Sequence, residues 1–118
     1  DAGVDAFHCS QRRFWEPEFE DSDLNLAGWV KKLTGMPTIT VGSVSLDQDF
    51  ILQPTEGEGA VSEPASIDRL LEMMGRGEFD LVAVGRALIA NPDWPKVVRS
   101  GDTSGLRAFS KDQLATLD

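Results

Sequence analysis

Two short runs, Thr38-Ile39-Thr40-Val41 and Leu81-Val82-Ala83-Val84, constrain the fold more than anything else in the chain. Each is apolar or β-branched throughout, the pattern of strands in a parallel sheet with both faces covered. A third β-like run spans Val4 to Cys9. Helical periodicity fills the gaps. Leu26, Trp29, Val30 and Leu33 recur at helical spacing, with Ser22 or Asp23 as the expected N-cap and Gly35 and Pro37 as the stop. Ile67, Leu70, Leu71 and Met74 form a second stripe, with Pro64 near the first turn and Gly75 or Gly77 at its end. Ala87 to Ala90 reads as a short helical turn. Asn91 is then expected to cap a segment opened by Pro92 and running to about Arg99. Ser110 and Gln113 have the spacing of a capping box for a last helix. The order strand, helix, strand, helix, strand, helix, with crossovers long enough for right-handed βαβ units, predicts an α/β fold.

Three parallel strands leave two open edges with unpaired N–H and C=O groups, so the unit is expected to be incomplete on its own. The chain starts at Asp1 and enters a strand almost at once, which reads as a cut. The upstream half of a larger sheet, or a partner chain, is the expected complement. Residues 47–63, with the Gly- and Glu-containing stretch Thr55 to Glu63, form the expected loop insertion.

Charge narrows the function classes. The 118 residues hold 11 Lys and Arg against 20 Asp and Glu, a net charge of −9. Neutralising phosphates along a nucleic acid needs a basic face, and the pattern presents none. Apolar runs are a few residues long, too short to span a bilayer, and no leader-like segment opens the chain. The single cysteine, Cys9, forms no internal disulfide, which fits a cytoplasmic location.

The chemistry gathers at two strand ends. Val41 runs into Gly42 and Ser43, and Val84 into Gly85 and Arg86. In a parallel α/β sheet, ligands collect beyond the carboxyl ends of the strands. Glycine there lets backbone N–H groups approach an anion, and an arginine adds a planar donor fork suited to phosphate oxygens. The turn from Ala87 to Ala90 aims its first N–H groups at the same place. Either end alone is an ordinary strand-to-helix turn. Two on consecutive strands, with arginine on the second, point to a phosphate site like the one after strands seven and eight of many (β/α)₈ barrels.

The run Phe7-His8-Cys9-Ser10-Gln11-Arg12-Arg13-Phe14-Trp15-Glu16-Pro17-Glu18-Phe19 resembles the sixth strand and following loop of the old yellow enzyme family of NADH:flavin oxidoreductases. Asp23-Leu24-Asn25-Leu26-Ala27-Gly28-Trp29 is similar to the helix after it, and Pro37-Thr38-Ile39-Thr40-Val41-Gly42-Ser43-Val44 to the seventh strand. Asp80 to Trp94, through Val84-Gly85-Arg86-Ala87 and Asn91-Pro92-Asp93, is the most specific part of the likeness, to the eighth strand and its phosphate turn. The resemblance implies the last three strand–helix units of a (β/α)₈ TIM barrel. It implies FMN as cofactor, its phosphate held by Gly42, Ser43, Gly85 and Arg86, with NADH or NADPH as reductant and a small-molecule alkene as substrate. It also places the family's substrate-binding His/Asn or His/His pair and its proton-donating tyrosine upstream of this chain, which contains no tyrosine. No catalytic residue is therefore assigned.

The remaining reactive residues have plainer readings. His8, a lone histidine beside a cysteine, reads as packed or locally hydrogen-bonded, and Cys9 as buried and structural, lacking a resolving partner. Phe14 and Trp15 are candidates for lining the substrate entrance, or for packing the loop on its neighbouring helix. Trp29 and the stripe from Leu70 to Met74 read as helix-to-sheet core. Asp47, Asp49, Glu56, Glu58 and Glu63 lack the spacing of a calcium loop, so no metal site is expected. The functional expectation is the FMN phosphate end of an NAD(P)H oxidoreductase of ene-reductase type. The alternative is a non-catalytic subunit or remnant that binds a phosphorylated ligand or completes a barrel.

Overall fold

The computed structural model describes residues 2–46, 61–62 and 65–116. In chain order the elements are β1 (Phe7–Ser10), α1 (Leu26–Thr34), β2 (Thr38–Val41), β3 (Val61–Ser62), α2 (Asp68–Gly75), β4 (Leu81–Val82), α3 (Arg86–Ala90), α4 (Trp94–Ser100), β5 (Phe109–Ser110) and a 3₁₀ turn over Lys111–Thr116. The fold is α/β. Its main sheet has the order β1-β2-β4, with β2 parallel to both neighbours. Phe7 pairs with Thr38, and Ile39 with Leu81. The first strand begins at Phe7 rather than Val4, and the third loses strand geometry after Val82, although the Ala83 N–H still reaches the Thr40 carbonyl at 2.9 Å. β3 and β5 form a separate antiparallel pair that the sequence pattern did not predict, since two residues are too few to show a period. The insertion expected at 47–63, the acidic residues Asp47, Asp49, Glu56, Glu58 and Glu63, and Pro64 lie outside the described residues, apart from the Val61–Ser62 strand.

One face of the sheet is the better covered. Cys9, Thr38 and Thr40 are buried beneath the helices. Both threonine hydroxyls are bonded, Thr38 donating to the Met36 carbonyl at 2.9 Å and Thr40 accepting from Asn25 Nδ2 at 3.0 Å. On the opposite face His8 is exposed, Ile39 is half-buried and Leu81 is 56 % exposed. The apolar and β-branched runs predict cover on both faces; among the described residues the His8, Ile39 and Leu81 side is the more exposed.

α1 starts at a different cap from the one expected. Asn25, not Ser22 or Asp23, accepts from the Gly28 N–H at 2.8 Å. Ser22 instead accepts from the Leu24 N–H at 3.2 Å in a local turn. All three are good capping types, so sequence alone ranks them equally. Tertiary partners decide, because the buried Asn25 amide also donates to the Phe14 carbonyl at 2.9 Å and to Thr40. At the other end Gly35 stops the helix as expected, at φ 68° with its N–H bonded to the Lys31 carbonyl.

The buried helix faces are narrower than the stripes suggested. α1 meets the sheet through Ala27 and Gly28, small residues that allow close approach, while Leu33 is exposed and Trp29 only half-buried. Trp29 lies edge-on to Phe19 at 5.4 Å, with the Lys32 ammonium 4.9 Å from its ring. α2 buries Leu70 and Met73 and leaves Leu71 exposed. α4 starts at Trp94 behind Asp93, with Pro95 in its first turn, so Asn91 does not cap it. Gln113 does act as its spacing suggested, accepting from the Ser110 N–H at 3.3 Å, but the element it opens is a 3₁₀ turn.

Candidate functional site

The ends of β2 and β4 converge. Arg86 Nη2 donates to Ser43 Oγ at 3.0 Å, across 43 positions of sequence. Ser43, Gly85 and Arg86 border one cavity of about 190 Å³, with Val41, Val44 and Ala83 among its other walls. The parallel register brings this about. Ile39 beside Leu81 and Thr40 beside Val82 put the two carboxyl ends next to each other.

The chain after β2 turns sharply. Gly42 has φ 146°, Ser43 52° and Ser45 65°, and the Leu46 N–H closes on the Ser43 carbonyl at 3.1 Å. Left-handed conformations at serine cost of order 1–3 kcal/mol each and persist only where surrounding contacts impose them. For Gly42 and Ser43 those contacts come from the loop after β1, while the Ser45 carbonyl accepts from the Ala65 N–H at 2.8 Å. Ser43 Oγ donates to the Arg12 carbonyl at 2.9 Å, and the Phe14 N–H donates to the Gly42 carbonyl at 3.0 Å. The Ser43 hydroxyl proton is therefore used by Arg12, and its oxygen aligns the guanidinium.

The two glycines serve different ends. A Cβ on Gly42 would lie 2.4 Å from the Gln11 carbonyl oxygen and 3.0 Å from the Phe14 nitrogen, so glycine is needed there for the β1 loop to cross. A Cβ on Gly85 would meet nothing within 4 Å, and Gly85 borders the cavity. Only at Gly85 does the missing side chain leave room for a ligand.

Arg86 opens α3, whose ladder starts with the Leu88 and Ile89 N–H groups on the Gly85 carbonyl, at 2.9 and 3.2 Å. The N–H of Ala87 thus precedes the ladder, as in the first turn of any helix. The guanidinium carbon is 5.7 Å from the centroid of the Phe109 ring. Phe109 is fully buried and lies on β5.

Phe14 and Trp15 belong to the loop that meets this turn, through the Phe14 N–H bond to the Gly42 carbonyl. They stack edge to face at 5.2 Å, Phe14 buried and Trp15 half-buried. With Ser45 and Leu46 they border a second cavity of about 530 Å³, and Leu46 borders both spaces. His8 is exposed on the less covered sheet face, away from these contacts. Cys9 is buried, and burial raises its thiol pKa. Among the described residues no three His, Cys, Asp or Glu side chains cluster to hold a metal ion. No helix among them is long and apolar enough to cross a membrane.

Sequence reasoning missed three residues that shape the site. Asn25 carried a signal, an asparagine directly before an apolar helical run. The spacing predicts Asn91 as the cap of the following helix, whereas it ends α3 and its buried side chain pairs with the Arg107 backbone. Phe109 carried none, being one aromatic in an irregular segment.

No family model matches the chain. Over 82 residues it is 35% identical to an NADH oxidase of Thermoanaerobacter brockii, a stretch covering 70% of this chain. It spans about 10% of the length of that relative. The similarity is to an oxidoreductase, and it reaches a small part of one.

Proposed function

We propose that the chain forms the phosphate-binding end of an FMN site in an NAD(P)H oxidoreductase of the old yellow enzyme type, as the last three strand–helix units of a (β/α)₈ barrel. The observation that carries the reading is the 3.0 Å contact between Arg86 and Ser43 at adjacent strand ends, on a shared cavity with Gly85. Size supports it: about 190 Å³ is below the roughly 300–1,000 Å³ of pockets that enclose a whole small ligand, so the space suits one charged end. The donor chemistry suits it as well, a guanidinium fork beside a helix start in a chain that is otherwise acidic.

In this reading Arg86 neutralises phosphate charge, and backbone N–H groups of Gly42, Ser43 and Gly85 are the accompanying donors. When bound, FMN supplies hydride transfer between NADH or NADPH and an activated alkene. This chain's part is to anchor and orient that cofactor. Phe14 and Trp15, on the larger neighbouring cavity, are assigned to substrate access. The groups that would activate a substrate belong to the remainder of the barrel, whose upstream half is the proposed partner.

Titration of the 118-residue chain with FMN, riboflavin and inorganic phosphate tests the reading. FMN is expected to bind more tightly than riboflavin, and phosphate to compete with it. Arg86→Ala should erase most of the difference, since a charge-assisted contact is worth about 1.5–3 kcal/mol, roughly 10- to 150-fold in affinity. Equal affinity for FMN and riboflavin, with no competition by phosphate, refutes it. Phosphate binding with no flavin preference supports the alternative, a non-catalytic binder of phosphorylated ligands, which the small cavity also accommodates.

A further inference from the structure

Resting on the anion-site reading above, we propose that Phe109 is a positioning residue for Arg86, and that Asn91 is the tether that brings it there. An arginine side chain at a strand end has many rotamers, and ordering them on binding weakens affinity. Among the described residues, two contacts restrict Arg86 before any ligand arrives. Ser43 Oγ accepts from Nη2 at 3.0 Å, and the Phe109 ring centroid lies 5.7 Å from the guanidinium carbon. That distance is within the roughly 6 Å over which an aromatic face attracts a cation. A ring contact takes up none of the N–H donors that a phosphate needs. Because Phe109 is fully buried, the ring is itself fixed.

Phe109 is far from Arg86 in sequence, so something must hold the segment in place. Asn91 does this with a single buried amide. Its Oδ1 accepts from the Arg107 N–H at 2.8 Å, and its Nδ2 donates to the Arg107 carbonyl at 2.9 Å. The same Nδ2 reaches the Ala87 carbonyl at 3.2 Å. One side chain thus joins the residue after Arg86 to the segment ending in Phe109, closing a loop around the whole of α4. Pairing of Ser62 with Phe109 in the small antiparallel sheet, and the Gln113 Nε2 bond to the Ala108 carbonyl at 3.2 Å, hold the segment from its other side. Asn91 thereby ends α3 and ties it to the Arg107 segment, instead of capping α4.

A purely structural Phe109 would tolerate any change that preserved its volume. A positioning Phe109 depends on the negative face of its ring. The test is to replace Phe109 by mono-, di- and trifluorophenylalanine in the 118-residue chain, and separately to make Phe109→Leu, reading phosphate and FMN dissociation constants together with the melting temperature. Stepwise fluorination drains the ring face at nearly constant volume. Affinity is expected to fall progressively, by roughly two- to fivefold across the series, at unchanged melting temperature. Phe109→Leu should weaken binding in the wild-type background and leave the residual binding of Arg86→Ala unaltered, because the ring acts through the guanidinium. A flat fluorination series on a chain that binds FMN and phosphate overturns the positioning role and spares the site. Failure of the unmodified chain to bind either probe overturns the site and this inference with it.

Discussion

Gly42→Ala should cost this chain a large share of its stability, while Gly85→Ala, at the corresponding point of the next strand, should cost almost nothing. At Gly42 the new Cβ would sit 2.4 Å from the Gln11 carbonyl oxygen, about 0.9 Å inside a relaxed C···O contact of about 3.3 Å. The obstructing atom is backbone, so no rotamer change relieves it. Moving the loop would stretch the Phe14 N–H bond to Gly42 at 3.0 Å and disturb the Asn25 bond to the Phe14 carbonyl at 2.9 Å. The φ of 146° adds strain for any residue with a side chain. Strain and overpacking together amount to about 2–6 kcal/mol. Small domains have about 5–15 kcal/mol in all, so the variant should melt at least about 8 °C lower, or not fold cooperatively. At Gly85 the Cβ meets nothing within 4 Å, and a change within about 0.5 kcal/mol is expected. Its methyl would stand at the cavity wall, so Gly85→Ala should instead weaken phosphate and FMN binding. Thermal and urea unfolding followed by circular dichroism, paired with phosphate titration, separates the two. A Gly42→Ala protein melting within about 4 °C of wild type would refute the reasoning, as would a Gly85→Ala protein that melts like Gly42→Ala.

Asn25→Ala should destabilise by about 2–4 kcal/mol in urea unfolding, because it removes a helix cap and orphans the buried Phe14 carbonyl and Thr40 hydroxyl; a loss under 1 kcal/mol would show the amide to be dispensable. The Lys31 ammonium first, and then the Thr38 N–H, hold the Asp80 carboxyl below the usual carboxylate range. As pH falls the unfolded chain is therefore protonated at this position before the folded one. The stabilisation is complete above the ordinary carboxylate pKa and is lost as pH drops through the lower folded value. Asp80→Asn should flatten the acid limb of melting temperature against pH, and an unchanged limb would contradict the assignment. Burial and a raised pKa should make Cys9 alkylation slow at neutral pH and accelerate with urea in step with unfolding; rapid labelling of the folded chain would contradict its placement.

Local rules were legible wherever the deciding partners lie within a few residues. Gly35 stops α1 because a left-handed residue after a helix favours glycine, and nothing distant is needed to know it. The Ser110 and Gln113 contact was likewise readable from spacing. The cap of α1 was not, because Ser22, Asp23 and Asn25 are equivalent until Thr40 and the Phe14 carbonyl choose among them. Gly42 and Gly85 looked alike as glycines at strand ends. Only the crossing of the β1 loop showed that one is occupied by backbone and the other faces open space.

The residue types alone determined an α/β chain with parallel strands, the positions where those strands end, and the arginine beside one of them, since period, β-branching and turn chemistry act along the chain. The tertiary structure decided which groups meet: Arg86 on Ser43, Phe109 beside Arg86, and Asn91 on Arg107. Each joins segments from different parts of the chain, and such contacts exist only once register and packing bring the strands and the tail together.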